Sequence, residues 1–293
     1  VSESTDSWVV RARAQNAASA TSTTSTEQHI ANLAQLVHGL GTQVPALDAV
    51  LDREQSGLLA QEIEAARAHL ERAARLLERS VRLRATKQQA ALVKRGKGKP
   101  LKLNLASGER QLPDFVNLDA NSGSYRHCLQ WRIPLPARSV SHVFFAHGLE
   151  HLYFESEALP VLRDIKRVLT AGGTLRLIVP DIGALCEAYA AKDAELFAAR
   201  RETWLWESGC YTALEQTLSY AGAGPAPHAF FCHKFGYDFE TLALLLERAG
   251  FKNIVRCSFM GSKHAALRVD DQSEVGALSF RGQSCSLFVE ASR

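Results

Sequence analysis

Three short stretches of the 293-residue chain combine side chains that could hold a ligand or move a proton. The first, "LNLASGERQLPDFVNLD", ends one apolar strand pattern in Ala106, Ser107 and Gly108 and the next in Asp119. Small residues at the carboxyl end of a strand let a ligand approach the backbone closely. A carboxylate one strand over can accept both hydroxyls of a ribose. The second stretch, "AHGLEHL", puts His147 at the end of another strand pattern, with Glu150 and His151 about one turn on. An imidazole titrates near neutrality, so His147 suits a general base, or it packs beside a ligand and orients the loop. Glu150 and His151 suit holding that loop in shape. The third stretch, "GAGPAPHAFFCHKFGYD", carries His228, His233 and Tyr237 in a Gly/Pro/aromatic loop with the character of a lid. These three could line a pocket, while Asp238 makes a good helix N-cap. Asp181 in "VPD" lies at the same sheet edge as His147.

The spacing before Asp119 narrows the ligand. The turn holds one glycine, Gly108, and 119 − 106 = 13 positions separate Ala106 from Asp119. A dinucleotide site needs G-x-G-x-x-G, a helix N-terminus for the pyrophosphate and an acid about 20 residues on. The pattern points instead to a nucleoside without a pyrophosphate. No metal site is expected, because the acidic pairs Asp270 and Asp271 or Glu62 and Glu64 lack i,i+4 spacing and a nearby His. Six cysteines, Cys128, Cys186, Cys210, Cys232, Cys257 and Cys285, form no CxxC pair, so most are expected as buried free thiols in a reducing compartment.

A sheet edge has to bring these stretches together, and from residue 101 onward short apolar strands alternate with helices, which predicts an α/β fold with an open, mostly parallel sheet. Strands are expected near 101–106, 115–119, 142–147, 174–180, 252–259 and 284–290. Helices are expected near 155–169, 182–198 and 238–249, the last closed by Gly250.

Upstream, residues 1–25 read as a Ser/Thr-rich tail and 26–93 as a helical arm. In the arm Leu59, Ile63, Ala66, Leu70, Ala73 and Leu77 alternate at steps of four and three, the seam of a coiled coil or helical hairpin. The arm is expected to make a homo-oligomer or to pack on its own domain. Residues 94–100 form a basic linker. Its lysines have no interleaved aromatics and the net charge is only +3, so no nucleic-acid partner is expected. No apolar run approaches the roughly 18–20 residues that span a bilayer, and the first thirty residues lack a signal-peptide pattern. A cytoplasmic location is expected.

Five segments in order, "LNLASG", "FVNLD", "IPLPARSVSHVFFAHGLEHL", "LRDIKRVLTAGGTLRLIVPD" and "HKFGYDFETLALLLERAGF", lie between residues 102 and 251. Their order and spacing resemble class I S-adenosylmethionine-dependent methyltransferases, specifically a compact bacterial branch found with polysaccharide biosynthesis. The resemblance implies a Rossmann-like methyltransferase sheet over 101–293, with a short loop in place of the first crossover helix, and S-adenosylmethionine as cofactor. It implies that Asn104, Ala106, Ser107 and Gly108 face the methionine part, that Asp119 binds the ribose, and that the loop with Ala146, His147 and Leu149 closes over the cofactor. Ala106 stands where a Gly is usual, and Ser141 where an Asp usually precedes the fourth strand. The acid often found ahead of "PLP", which would hold the adenine amino group, has no clear counterpart in "HCLQWRIPLP", where Leu129, Gln130 or Trp131 could substitute.

The implied reaction is an in-line displacement at a sulfonium, in which an enzyme positions the acceptor and, for a hydroxyl, removes a proton. His147, Asp181 and His233 are the catalytic candidates, and His151, His228 and Tyr237 the substrate-binding ones. Trp204, Trp206, Tyr211 and Tyr220 could offer aromatic faces to a sugar ring, or pack in the core. Family analogy points to a glycan or other small-molecule acceptor, with O-methylation of a sugar hydroxyl. The alternative is a degenerate methyltransferase-like scaffold that acts through its helical arm.

Overall fold

The computed structural model describes residues 98–293, except 110, 121–124, 204–209, 224–231, 273–278 and 282, together with isolated positions between 61 and 94. The Ser/Thr-rich tail, the heptad seam, Trp204, Trp206 and His228 therefore lie outside the described residues. Leu92, expected within the arm, is fully buried against the main core. No helix among the described residues is long and apolar enough to cross a membrane.

The central sheet contains β1 (Leu101–Leu105), β2 (Val116–Asp119), β3 (Tyr125–Arg126), β4 (Val140–Ala146), β5 (Leu169–Pro180), β6 (Lys252–Cys257) and β9 (Ser286–Ser292). A separate hairpin pairs β7 (Ser279–Phe280) with β8 (Gln283–Ser284). The seven strands run in the order β3-β2-β1-β4-β5-β9-β6, parallel from β3 to β5, with β9 antiparallel to both its neighbours. The order reverses at β1, whose chain continues to β2 on one side while β4 lies on the other. Ligands of open α/β sheets bind at such a switch point, beyond the carboxyl ends of the strands.

Strand alternation divides the core between two faces. Leu103, Leu105, Val143, Phe145, Leu175 and Leu177 belong to the main cluster, and Phe144, Ile178 and Phe288 to a smaller one with Leu112 and Phe115. The main face is covered by α1 (Leu159–Val168), which buries Leu159, Leu162 and Ile165, and by α5 (Phe239–Ala249), which buries Leu242, Leu245 and Leu246. Asp238 caps α5 by accepting the Thr241 N–H, and Gly250 ends it at φ +87°. The helix expected over 182–198 is two: α2 (Ile182–Ala190) and α3 (Ala194–Thr203). Lys192 turns left-handed at φ +56°, and Asp193 accepts the Leu196 N–H, which restarts the chain as a new helix. A short helix α4 (Ala213–Leu218) follows, opened by a capping box between Thr212 and Glu215.

Parallel neighbours usually need a helical crossover. Residues 106–115 join β1 to β2 without one among the described residues. Polar latching and a small apolar plug take its place. Leu112 and Phe115 are buried, and the Asn117 side chain accepts the Leu112 N–H while donating to the Leu112 carbonyl, at 2.9 and 3.0 Å.

Beyond β3, His127 is buried, and its N–H donates to the Asp119 carbonyl at 2.9 Å. Burial pushes its imidazole down to about 4, against the opposing pull of the Asp164 carboxylate and a backbone hydrogen bond at Trp131. The unfolded chain takes up that proton near 6.5, so between 6.5 and about 4 the unfolded state holds more protons. Stability is therefore complete above about pH 6.5 and falls by about 3 kcal/mol towards pH 4 from this residue alone. Urea unfolding at pH 7.5 and 5 should show the loss, and His127→Leu should remove that part of the slope.

Only Cys128 and Cys210 of the six cysteines are buried, and Cys186 is exposed, which corrects the expectation of mostly buried thiols. All six are free.

Candidate active site

The carboxyl ends of β1, β2 and β4 meet at the switch point. After β1, Ala106 and Gly108 both take left-handed backbone, at φ +53° and +56°. Ser107 still donates its N–H to the Leu118 carbonyl at 3.2 Å, so the turn stays zipped to β2. The Gly108 N–H then donates to Asp119 Oδ2 at 3.0 Å, which fixes the orientation of the carboxylate. A side chain at Gly108 would meet nothing within 4 Å, so this turn borders open space.

On the other side of β1, His147 leaves β4 at φ +49°, an unusual conformation for a residue with a Cβ. Its N–H donates to the Ile178 carbonyl at 2.9 Å. The ring is bracketed, with Nδ1 3.2 Å from Glu150 Oε1 and Nε2 3.1 Å from Ser286 Oγ. Gly148 follows where a Cβ would stand 2.5 Å from Phe145 Cε2 and 2.9 Å from Ala106 Cβ. The β1 and β4 loops thus touch at a glycine. Gly148→Ala should destabilise the fold by about 1–3 kcal/mol, as overpacking does, measured as a lower urea midpoint at unchanged m.

Residues 149–151 make one 3-10 turn. The Glu150 carbonyl accepts the N–H groups of Lys234 and Phe235, at 2.7 and 3.3 Å, so the "HKFGYD" segment is tied by backbone to the "HGLEHL" turn. That tie brings His233 beside His151, ring centroids 4.9 Å apart. One ligating atom each of Glu150, His151 and His233 lies within 4.8 Å of the others. Burial would raise the Glu150 carboxyl, but the hydrogen bond and charge of His147, with the charges of His151 and His233, hold it at about 2. Burial pushes the His233 imidazole down.

The other expected site residues have these surroundings. Asn104 donates its side-chain amide to Asn117 Oδ1 at 2.9 Å and is buried, so it latches the β1–β2 loop. Leu149 is fully buried in the main core. Tyr237, expected at a substrate pocket, is fully buried and stacks in the Phe154, Phe235 and Tyr237 ring cluster. Its phenol is pushed up by burial, and then by the Glu150 charge. Ala146 is half-buried against the smaller core cluster. Gln130 is half-buried, its side chain accepting from the Cys128 thiol at 2.6 Å and donating to Glu157 at 3.5 Å. Asp181 caps α2 through Oδ1, accepting the Ala184 N–H at 3.1 Å, and pairs through Oδ2 with Arg256 at 2.6 Å. Tyr211 is exposed, and Tyr220 is buried under the Arg200 guanidinium, which lies 4.4 Å from its ring centroid.

Two contributors are not among the expected site residues. Ser286 reaches His147 from β9, the last strand in the chain. The "IPLP" turn is clamped from α1, where Asp164 accepts the Ile133 N–H at 2.6 Å and Arg167 donates to the Ile133 and Leu135 carbonyls at 2.9 and 2.8 Å.

No protein-family model matches the chain, and no curated protein matches its sequence. Solved structures do overlap with it. A SAM-dependent methyltransferase from Thermotoga maritima is 13% identical, over 76% of this chain and 97% of that one, with a TM-score of 0.36. A SAM-dependent methyltransferase from Archaeoglobus fulgidus is 14% identical over 71% and 92%, with a TM-score of 0.36. An S-adenosylmethionine-dependent methyltransferase from Mesorhizobium loti is 14% identical over 66% and 90%, again at 0.36. Overlap at this level is loose, so the chemistry of the site has to be argued from this chain's own residues.

Proposed function

We propose that the chain is an S-adenosylmethionine-dependent methyltransferase that methylates a hydroxyl oxygen, in the first instance on a sugar of a bacterial surface glycan or its lipid-linked precursor. One observation carries the reading: the Asp119 carboxylate, held by the Gly108 N–H at the end of β2, flanks an open turn at the switch point. A carboxylate so fixed is prepared for the two hydroxyls of a ribose. No helix begins after β1 to receive a pyrophosphate among the described residues, which favours a nucleoside cofactor over a dinucleotide. The residues present therefore fit the group. When bound, S-adenosylmethionine supplies a methyl group on a positively charged sulfur.

Ala106, Ser107 and Gly108 would border its methionine part, Asp119 would hold its ribose, and Leu129, Gln130 or Trp131 would stand in for the missing adenine acid. His147 is the proton-accepting candidate. Its Nδ1 faces Glu150, which orients the ring, and Nε2 takes the proton by giving up its contact with the Ser286 hydroxyl. A carboxylate behind an imidazole stabilises the imidazolium so formed. Asp181 acts as a positioning residue at the start of α2. The arm over 26–93 would supply oligomerisation, and the acceptor analogy to glycans comes from the resemblance alone.

Titration calorimetry of the purified chain with S-adenosylmethionine tests the cofactor, and methyl-labelled cofactor offered to glycans, small amines and proteins tests the acceptor. Binding with label transfer to glycan is expected. Label on amines or proteins with none on glycan overturns the acceptor, and no binding by the folded chain moves the reading to the scaffold alternative.

A further inference from the structure

We infer that Glu150, His151 and His233 form a binding site for a divalent first-row transition-metal ion of the manganese-to-zinc group. One donor atom from each side chain lies within 4.8 Å of the other two, close enough to surround a single ion. The hydrogen bonds behind the two imidazoles prepare them. His151 Nδ1 lies 3.4 Å from the Cys232 carbonyl and His233 Nδ1 2.8 Å from the Tyr220 carbonyl. A carbonyl oxygen only accepts, so each Nδ1 carries the hydrogen and each Nε2 keeps its lone pair. Metal-bound histidines are held in this way, with the second ring nitrogen donating to a backbone carbonyl.

Glu150 supplies an independent sign. It is 1% exposed, its Oε1 faces His147, and its Oε2 is buried with no hydrogen-bond partner. A buried carboxylate oxygen left unpaired is costly, and a cation beside it removes the cost. Two imidazoles with one carboxylate select ions that accept nitrogen ligands; magnesium and calcium prefer oxygen alone. Three protein ligands leave coordination positions open. Those positions would take oxygen from water or from the acceptor, a consequence that rests on the proposed methyltransferase reading, while the ion site itself does not. The motif escapes the sequence because His233 reaches the Glu150–His151 turn only through the backbone bonds from Lys234 and Phe235.

The test uses the full chain stripped with chelator and titrated with Co²⁺, followed by visible absorption, with Mn²⁺ and Zn²⁺ by calorimetry. One ion per chain is expected, with the d–d bands of a site holding nitrogen and oxygen ligands. Glu150→Gln keeps the side-chain shape and should weaken uptake by at least about 100-fold. His151→Asn provides a second variant should the first fail to fold, and cooperative urea unfolding reports which variants are folded. Uptake that both folded variants leave unchanged overturns the site. A wild-type chain that binds S-adenosylmethionine but takes up no ion also overturns it and leaves the cofactor reading standing. Ion uptake lost in the variants, in a chain that binds no S-adenosylmethionine, supports the site and removes the cofactor reading instead.

Discussion

Asp119→Ala is expected to weaken S-adenosylmethionine binding by about 100-fold or more while leaving the fold intact. The carboxylate would make two charge-assisted hydrogen bonds to ribose hydroxyls, each worth roughly 1.5–3 kcal/mol, and about 1.4 kcal/mol is a factor of ten in affinity. The substitution also releases the Gly108 N–H from its 3.0 Å bond, so the turn after β1 loses the group that orients it. Asp119→Asn separates the two effects. The amide oxygen can still accept from Gly108, but the amide nitrogen offers a donor where a ribose hydroxyl needs an acceptor, so an intermediate loss is expected. Calorimetry on the three proteins, with urea midpoints as the control, decides it. Equal affinities in all three would remove Asp119 from the site and with it the nucleoside reading.

A loss of about 3–5 kcal/mol in stability is expected for Arg176→Met. Arg176 is fully buried in the middle of β5, in a strand otherwise apolar from Leu177 to Pro180. Its guanidinium donates to both Asp270 oxygens at 2.6 and 2.5 Å, to Glu290 Oε1 at 3.1 Å and to the Ser258 carbonyl at 3.0 Å. Glu290 lies directly opposite it on β9, and Asp270 also accepts the Met260 N–H, so one cation joins two strands and the loop beyond β6. Removing it strands two buried carboxylates, the situation in which breaking a buried ion pair is most destabilising. The triple variant Arg176→Met, Asp270→Asn, Glu290→Gln leaves no charge behind and should recover most of the loss. Urea unfolding measures both, and a change below about 1 kcal/mol in the single variant would show that water or a local rearrangement neutralises the carboxylates.

Those two experiments touch residues of unequal visibility in the sequence. Asp119 was legible because it ends a short apolar strand next to a glycine turn, and both features are local. The α1 and α5 faces and the caps at Asp238 and Gly250 were legible for the same reason: periodicity and capping act within a turn or two. Arg176 in "TLRLIVP" carries no local signal of its role, since its partners come from Asp270 and Glu290 far along the chain. Asn104 and Leu149 sit in motif positions that the resemblance turns towards a cofactor, while the bond from Asn104 to Asn117 and the packing of Leu149 in the core come from strand alternation and the 3-10 turn. Tyr237 in the third stretch likewise belongs to the aromatic packing under that loop. The convergence of His233 on His151 depends on two backbone bonds between distant loops, which no spacing rule encodes.

The position of β9 has a consequence for how the molecule is made. Among the described residues β6 pairs with β9 alone, and β9 is threaded between β6 and β5 although it follows both in the chain. During synthesis β6 therefore emerges before any strand exists to receive it, and β5 waits with one side unpaired. Insertion of β9 closes both edges at once, brings Glu290 to Arg176 and delivers Ser286 to His147. Such long-range pairing is slow compared with local folding. Assembly of the sheet and completion of the site are thus the same late event, and a nascent chain short of β9 carries the loop motifs without the geometry that makes them a site.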